Sequence, residues 1–369
     1  SRCTSCMVSA DSVSLSRALW SAGKLRIRDE ALLKAAAERI PEVLRGSGPI
    51  TVATIWHSFE VFQFEAEECL NFMALQAIEE VGQYEPPEIS IILHAAAQLR
   101  FRKREELFSA LVRCARDNGD TFSERHMAVC VHAAAKIGLR DEALCENVAS
   151  RFLRVFSSVD ALAITSAVYA FGLIGYVHRP FLEAVAKMLH REISAHGGKR
   201  LETQQIANII YAFGKLAFIE ESTFRATAEC VCQNFHRFKA QEVDNITYGF
   251  ALVKYRNEAY LSRLCTHLLE EGRVDSLEIQ SLVSLTYSFA LLEFQHQQTL
   301  RVIGDRCIPK LHDFKAEECS IIVYSLGVLN FRHHDLLREM VEIVPRLLPN
   351  FSTQNISNLL HGLGLVGYE

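Results

Sequence analysis

The chain has 369 residues, of which 49 % are apolar and 22 % charged; this excludes a disordered chain and fits two or three domains or one extended array. Eighteen glycines and eight prolines are too few for a sheet-rich protein with many tight turns. A formal net charge of −5 argues against nucleic-acid binding over the whole surface, so any such binding must use a local basic strip.

A repeated phrase organises the chain. Tyr211-Ala-Phe-Gly-Lys-Leu-Ala-Phe218 returns as Tyr169-Ala-Phe-Gly-Leu-Ile-Gly-Tyr176 and Tyr248-Gly-Phe-Ala-Leu-Val-Lys-Tyr255. It returns again from Tyr287, Tyr324 and His361, with weaker copies from Trp20, His57, His94 and His132. Successive anchors are separated by 37, 37, 38, 37, 42, 37, 39, 37 and 37 residues. A period of that length predicts an all-α, right-handed superhelical solenoid of about ten two-helix repeats. The offsets two and five residues on either side of the anchor lie within about 40° of one helix direction, so they predict the buried stripe of helix A. Five past the anchor this stripe runs from Leu25, Phe62 and Leu99 to Leu329 and Val366. Small residues one and three past the anchor predict close helix approach, and a large residue seven past it predicts a plug at the end of the pair. Helix B announces itself thirteen past the anchor, at Leu33, Leu70, Leu107, Leu182, Phe224, Leu261, Leu300 and Leu337.

In chain order, residues 1–13 read as a tail carrying Cys3-x-x-Cys6, a lone pair without the second pair that a zinc site needs. Eleven scattered cysteines, an odd number, predict free thiols in a reducing compartment. The chain opens at Ser1 without a visible signal peptide, so a targeting segment is expected to be absent from it. Residues 14–157 form four divergent repeats. Between Arg45 and Arg100 there is no lysine or arginine, yet eight glutamates lie from Glu60 to Glu88, so a basic protein partner is expected near residues 60–88. Immediately after comes Arg100-Phe-Arg-Lys-Arg104, the densest basic cluster.

Residues 158–351 read as repeats five to nine. The uncharged run Ala161–Val177 is short for a membrane span and is explained by the repeat. Five extra residues around His196-Gly197-Gly198-Lys199-Arg200 read as a loop insertion that leaves the helices intact. His333-His334 reads as a solvated turn pair rather than a metal site. Residues 352–369 read as helix A of a tenth repeat that stops at Glu369, where either more chain or a partner is expected. Gly362-x-Gly364-x-x-Gly367 matches a dinucleotide fingerprint in letters, but follows no strand and falls on the small positions of the repeat.

No catalytic residue, metal site, cofactor, membrane anchor or small-molecule substrate is expected, because no nucleophile–base pair or metal-ligand spacing is present. Three recurring positions remain. All ten anchors are Trp, His or Tyr and never Phe, which points either to buried rings whose O–H or N–H ties adjacent repeats together or to rings that stack on bases. Three and seven before the anchor stand Gln204, Asn208, Gln241, Asn245, Gln280, Ser284, Gln354 and Asn358. This amide ladder is either a base-reading row or helix capping plus inter-repeat bonding. Eight past the anchor come Arg28, Arg102, Arg140, Arg256 and Arg332; with Arg100, Lys103 and Arg104 these are either phosphate contacts or solvated turn charges.

At Ile206-Ala-Asn-Ile-Ile-Tyr-Ala-Phe-Gly-Lys-Leu216 the chain resembles the organellar heptatricopeptide and octotricopeptide repeat proteins, which often precede a RAP domain and are related to FAST-kinase-domain proteins. The resemblance runs from about Ser14 to Glu369 and implies a mitochondrial address, in the matrix, or less readily a plastid one. It also implies a role with organellar rRNA or mRNA, including as a subunit of a protist mitochondrial ribosome, with RNA on the amide ladder. The absence of a RAP domain and the acidic charge depart from that family and favour a subunit held among RNA and proteins. An armadillo- or HEAT-like protein scaffold without RNA contact is the alternative.

Overall fold

In the computed structural model, which describes residues 9–270 and 273–368, helices A and B alternate in the expected register. The first three repeats contain α1 (Ser12–Lys24) and α2 (Glu30–Val43), α3 (Pro49–Phe62) and α4 (Glu67–Glu79), α5 (Pro86–Gln98) and α6 (Arg104–Asp117). The next three contain α7 (Glu124–Lys136) and α8 (Glu142–Arg154), α9 (Ala161–Ile174) and α10 (Arg179–His196), α11 (Thr203–Lys215) and α12 (Glu221–Asn234). Then follow α13 (Ala240–Leu252) and α14 (Glu258–Leu269), α15 (Ile279–Leu291) and α16 (Gln297–Cys307), α17 (Ala316–Val328) and α18 (His334–Leu347), and the lone α19 (Thr353–Leu365). Odd-numbered helices are helix A, even-numbered ones helix B, and no strand occurs among the described residues. The chain is an all-α solenoid built as two compact units, Ser1–Phe181 and Leu182–Glu369. Within each, A helices pack on A helices and B on B in series, the A row more tightly.

The repeat fixes its own boundaries. Every A helix has its N-cap nine residues before the anchor, from Asp11 and Ser123 to Ser352. Helix B is capped nine residues after the anchor, where Asp29, Asp141 and Asn257 accept backbone N–H groups at 2.9–3.1 Å. Each such cap stabilises its helix by about 1 kcal/mol. His333 is one of these caps. It is buried, accepts from the Leu336 N–H at 3.2 Å through Nδ1 and meets Asp305 at 3.1 Å through Nε2. The expectation of a solvated pair is therefore corrected for His333, while His334 is exposed.

Between A and B the chain turns through a left-handed residue six past the anchor. Non-glycine residues hold this conformation at Arg26, Gln63, Ala217, Lys254, Glu293 and Asn330, with φ between 47° and 54°, and Gly138, Gly175 and Gly367 hold it elsewhere. The turn lets the N–H of the next residue reach back to the carbonyl two past the anchor, as Phe218 does to Phe213 and Phe294 to Phe289, both at 2.9 Å. It also seats the expected plug. The seven-past aromatic meets the two-past Phe edge-on in Phe59–Phe64, Phe171–Tyr176, Phe213–Phe218, Phe250–Tyr255 and Phe289–Phe294, with centroids 4.9–5.7 Å apart.

All eight of the helix B residues thirteen past the anchor are buried, each contributing roughly 1.5–3 kcal/mol of burial. The helix A stripe is buried at Phe62, Leu99, Leu216, Leu292, Leu329 and Val366. Leu25 departs from it at 69 % exposure, since α1 has packing on one side only among the described residues. The insertion also differs from expectation: α10 runs for 18 residues, so the extra chain lengthens helix B before turning at Gly197 and Gly198. The small positions act as predicted. A Cβ on Gly249 would lie 2.5 Å from the Ile210 carbonyl oxygen, and one on Gly362 would lie 2.6 Å from that of Val323. Gly362 and Gly364 thus sit inside a packed helix, not in a nucleotide turn.

Candidate nucleic-acid interface

The anchors, the amides and the turn arginines can now be placed. The anchor rings form rows along the A helices. In the second unit Tyr211 meets Tyr248 at 6.1 Å, Tyr248 meets Tyr287 at 6.3 Å and Tyr324 meets His361 at 6.0 Å. In the first unit His132 meets Tyr169 at 5.9 Å. These rings are half-buried except for exposed His361, and burial holds His132 below the ordinary histidine range, so it is neutral at pH 7. Rings in mutual contact tie repeat to repeat, and at about 6 Å spacing they leave no slot for a base between them. The tie that these contacts make is between ring faces and edges, where the sequence pointed to the polar tips.

The amides do not cap helices. The caps stand nine before the anchor, so residues seven and three before it lie in the first two turns of helix A with their heads free. Gln204, Gln241 and Gln280 are exposed, and Asn208 and Asn245 are half-buried. None of the five has a side-chain hydrogen bond among the described residues. Gln354 differs, donating to Asn358 at 2.8 Å within its own helix. In α17 the ladder is interrupted by Glu317.

A groove of about 320 Å³ brings the two rows together: Tyr248, Gln280, Ser284 and Tyr287 line it along with Lys315 and Glu318 at the start of α17. Lys315 is the helix A cap of its repeat, a register position left unread in the sequence. Beside the groove lies Asp244, 6 % exposed, with Oδ1 buried and unbonded. Burial pushes its carboxyl up to about 7, against a hydrogen bond to Ser284 that favours the charged form. Its offset, four before the anchor, carries small or neutral residues in every other repeat (Ser16, Ala53 and Thr165 among them), so only a comparison of columns would have flagged it.

The turn arginines lie past the other end of helix A, more than about 10 Å along the axis from the nearest amide. Most carry partners already. Arg28 pairs with Glu30 at 2.7 Å, Arg140 with Glu142 at 2.7 Å, Arg102 with Glu67 at 3.1 Å and Lys103 with Glu106 at 2.8 Å. Arg104 donates to the Leu99 carbonyl at 3.4 Å. Arg256 is a clamp between repeats, holding Glu258 at 2.6 Å and the carbonyls of Leu292 and Glu293 at 3.2 and 3.0 Å. The side chains of Arg100 and Arg332 are exposed with no such bond among the described residues. Exposed pairs hold their partners by less than about 1 kcal/mol, so a phosphate can compete for all of these except Arg256.

Nothing in the described residues groups three or more metal-ligating side chains, and no described helix is long and apolar enough to cross a membrane. Cys3 and Cys6 lie outside the described residues. Seven of the nine described cysteines are buried and none is in a disulfide; burial pushes Cys69, Cys145, Cys307 and Cys319 up to about 12, which makes them unreactive packing groups. A search of curated proteins gives no match. A family profile described as RNA-editing substrate-binding complex 6 protein (RESC6) matches residues 9–195 and 190–367, nearly the whole array. This supports the resemblance to organellar RNA-associated helical-repeat proteins at that level, without specifying the heptatricopeptide, octotricopeptide or RAP type. Stacked helix pairs, an open amide row and a profile that spans both units agree, and the chain belongs to the RNA-editing substrate-binding complex 6 protein family.

Proposed function

We propose that this chain is a non-catalytic, RNA-binding helical-repeat scaffold of mitochondrial RNA metabolism, acting inside a large RNA–protein assembly. The family description supports a substrate-binding complex of RNA editing as that assembly, in place of the ribosome that the sequence brought to mind. One observation carries the RNA contact: Gln204, Asn208, Gln241, Asn245 and Gln280 repeat at two offsets with no side-chain hydrogen bond among the described residues, beside the tyrosine row. Amide heads donate and accept at once, which suits the edges of unpaired bases. The contact row closes the gaps between rings, so bases lie against the exposed side of the tyrosines instead of entering between them. Phosphates held by Arg332, Arg100 and the exposed pairs belong to a different stretch of RNA from the bases at the amides, because helix A separates the two sets.

The test is binding of a 30-nucleotide mixed-sequence single-stranded RNA to the full chain, titrated with salt. Gln204→Ala, Gln241→Ala and Gln280→Ala combined are expected to weaken binding about tenfold or more, with unchanged circular dichroism. No binding at low salt, together with protein-only adducts when the chain is cross-linked in mitochondria, would favour the peptide-gripping scaffold instead.

A further inference from the structure

The same register positions hold different chemistry in the first unit. Seven before the anchor, where α11, α13 and α15 present glutamines, α1, α3, α5 and α9 present Val13, Ile50, Pro87 and Leu162. Ile50 is 72 % exposed, Leu162 50 % and Val13 43 %; three before the anchor, Ile91 is 41 % exposed. Single exposed aliphatics need no explanation, but Val13 and Ile50 at one register position, with Ile91 one turn further along the next helix A, form a stripe across α1, α3 and α5; Arg125 on α7 separates it from Leu162. Its flank is acidic. Glu85 caps α5 two residues before Pro87 and holds no side-chain bond among the described residues, as is also true of Glu79 at the end of α4, in the chain leading into α5. Glu88, one turn in, is half-buried with Oε2 buried and unbonded. The cations on or beside the helices of this stripe are Arg17 and Lys24 on α1, Arg45 in the turn before α3, which lies over the Phe72 ring, and Arg125 on α7; α3, α4 and the whole of α5 contain none.

We propose that the helix A face of α3 and α5, centred on Ile50 and Ile91, docks a protein segment that presents aliphatic side chains together with lysine or arginine. Aliphatic burial supplies the contact area, and the glutamates select the sign of the partner's charge. RNA fits poorly, because its phosphates would face Glu85 and Glu88 with no base-reading amide in reach. A second copy of this face fits poorly as well, since it would bring the same glutamates. The inference concerns a surface separate from the amide row and does not depend on RNA binding.

Fluorescence anisotropy on the full chain tests it with three 18-residue probes: an amphipathic leucine–lysine peptide, its leucine–glutamate counterpart, and a glycine–lysine peptide of equal charge. The leucine–lysine probe is expected to bind at least tenfold more tightly than either other probe. Ile50→Asp with Ile91→Asp should remove that preference while RNA affinity stays unchanged. Equal binding of the glycine–lysine probe, or full binding by the double variant, would overturn the proposal. A photo-cross-linking residue at position 50, and separately at 91, gives the cellular answer. Adducts from both positions to one protein segment rich in aliphatic and basic residues support it; adducts to RNA, to a second copy, or to nothing overturn it.

Discussion

The two units obey one packing rule and hold out different chemistry. In the first, Ser58, Ala95, Ala133 and Ala170 stand buried one past the anchor, and the outward columns carry mainly aliphatics and histidines. In the second, glycines at Gly214, Gly249, Gly327 and Gly362 bring backbone onto backbone, and the outward columns carry amides and tyrosines. Ring contact does not need the glycines, since His132 and Tyr169 meet at 5.9 Å where Ala133 and Ala170 stand one past the anchor. Inward positions are thus constrained by the fold, and outward ones are free to differ between units that share it.

The comparison breaks most sharply at the helix contact. Gly249→Ala places a methyl group against the Ile210 carbonyl and is expected to lower unfolding free energy by about 3 kcal/mol in urea titration. Its first-unit counterpart, Ala133→Gly, should lose only about 1 kcal/mol of helix propensity. Equal effects would mean that the glycines are not what sets the approach.

Asp244 gives the next largest effect. Its folded carboxyl titrates near 7 and an unfolded one near 3.8, so the unfolded state binds fewer protons between those values and stability falls as pH rises through that window. Asp244→Asn removes the dependence. Its gain in unfolding free energy should be larger at pH 8 than at pH 5 by on the order of 2–3 kcal/mol. Thr165→Val, at the equivalent offset of the first unit, should show no pH-dependent difference. A flat profile for Asp244→Asn would show the carboxylate to be solvated or paired.

The smallest effect tests the turn. Ala217 sits at φ 49°, a conformation disfavoured for residues with a Cβ, so Ala217→Gly should raise stability by about 1 kcal/mol. Gly175→Ala, at φ 70° in the first unit, should lower it by a similar amount. Thermal melts of the pair would show whether this strain is common to both units.

Most of the architecture was legible from spacing. The anchor period, the leucines thirteen past it and the small residues one and three past it all describe contacts that the fold requires. The turn was less legible, because its left-handed residue is glycine in only three repeats and Arg, Gln, Ala, Lys, Glu or Asn in six. The caps of helix B were missed for the same reason: Asp29 and Asn257 are familiar caps, whereas His296 and His333 do the same work through Nδ1. The amide ladder could be located but not interpreted, since capping and base reading use the same residue types. The observed helix starts exclude capping, and base reading stands as the proposal. The arginines show the opposite limit: five at one offset look equivalent, yet Arg256 is committed to carbonyls of the next repeat and Arg332 is not.

The ring row also sets a ruler. Successive tyrosines advance about 6 Å, whereas a nucleotide in a stacked helical strand advances on the order of 3.4 Å. A strand engaging one base per repeat must therefore be drawn out until its own stacking is lost. RNA bound in the proposed way would have to be melted before it is held.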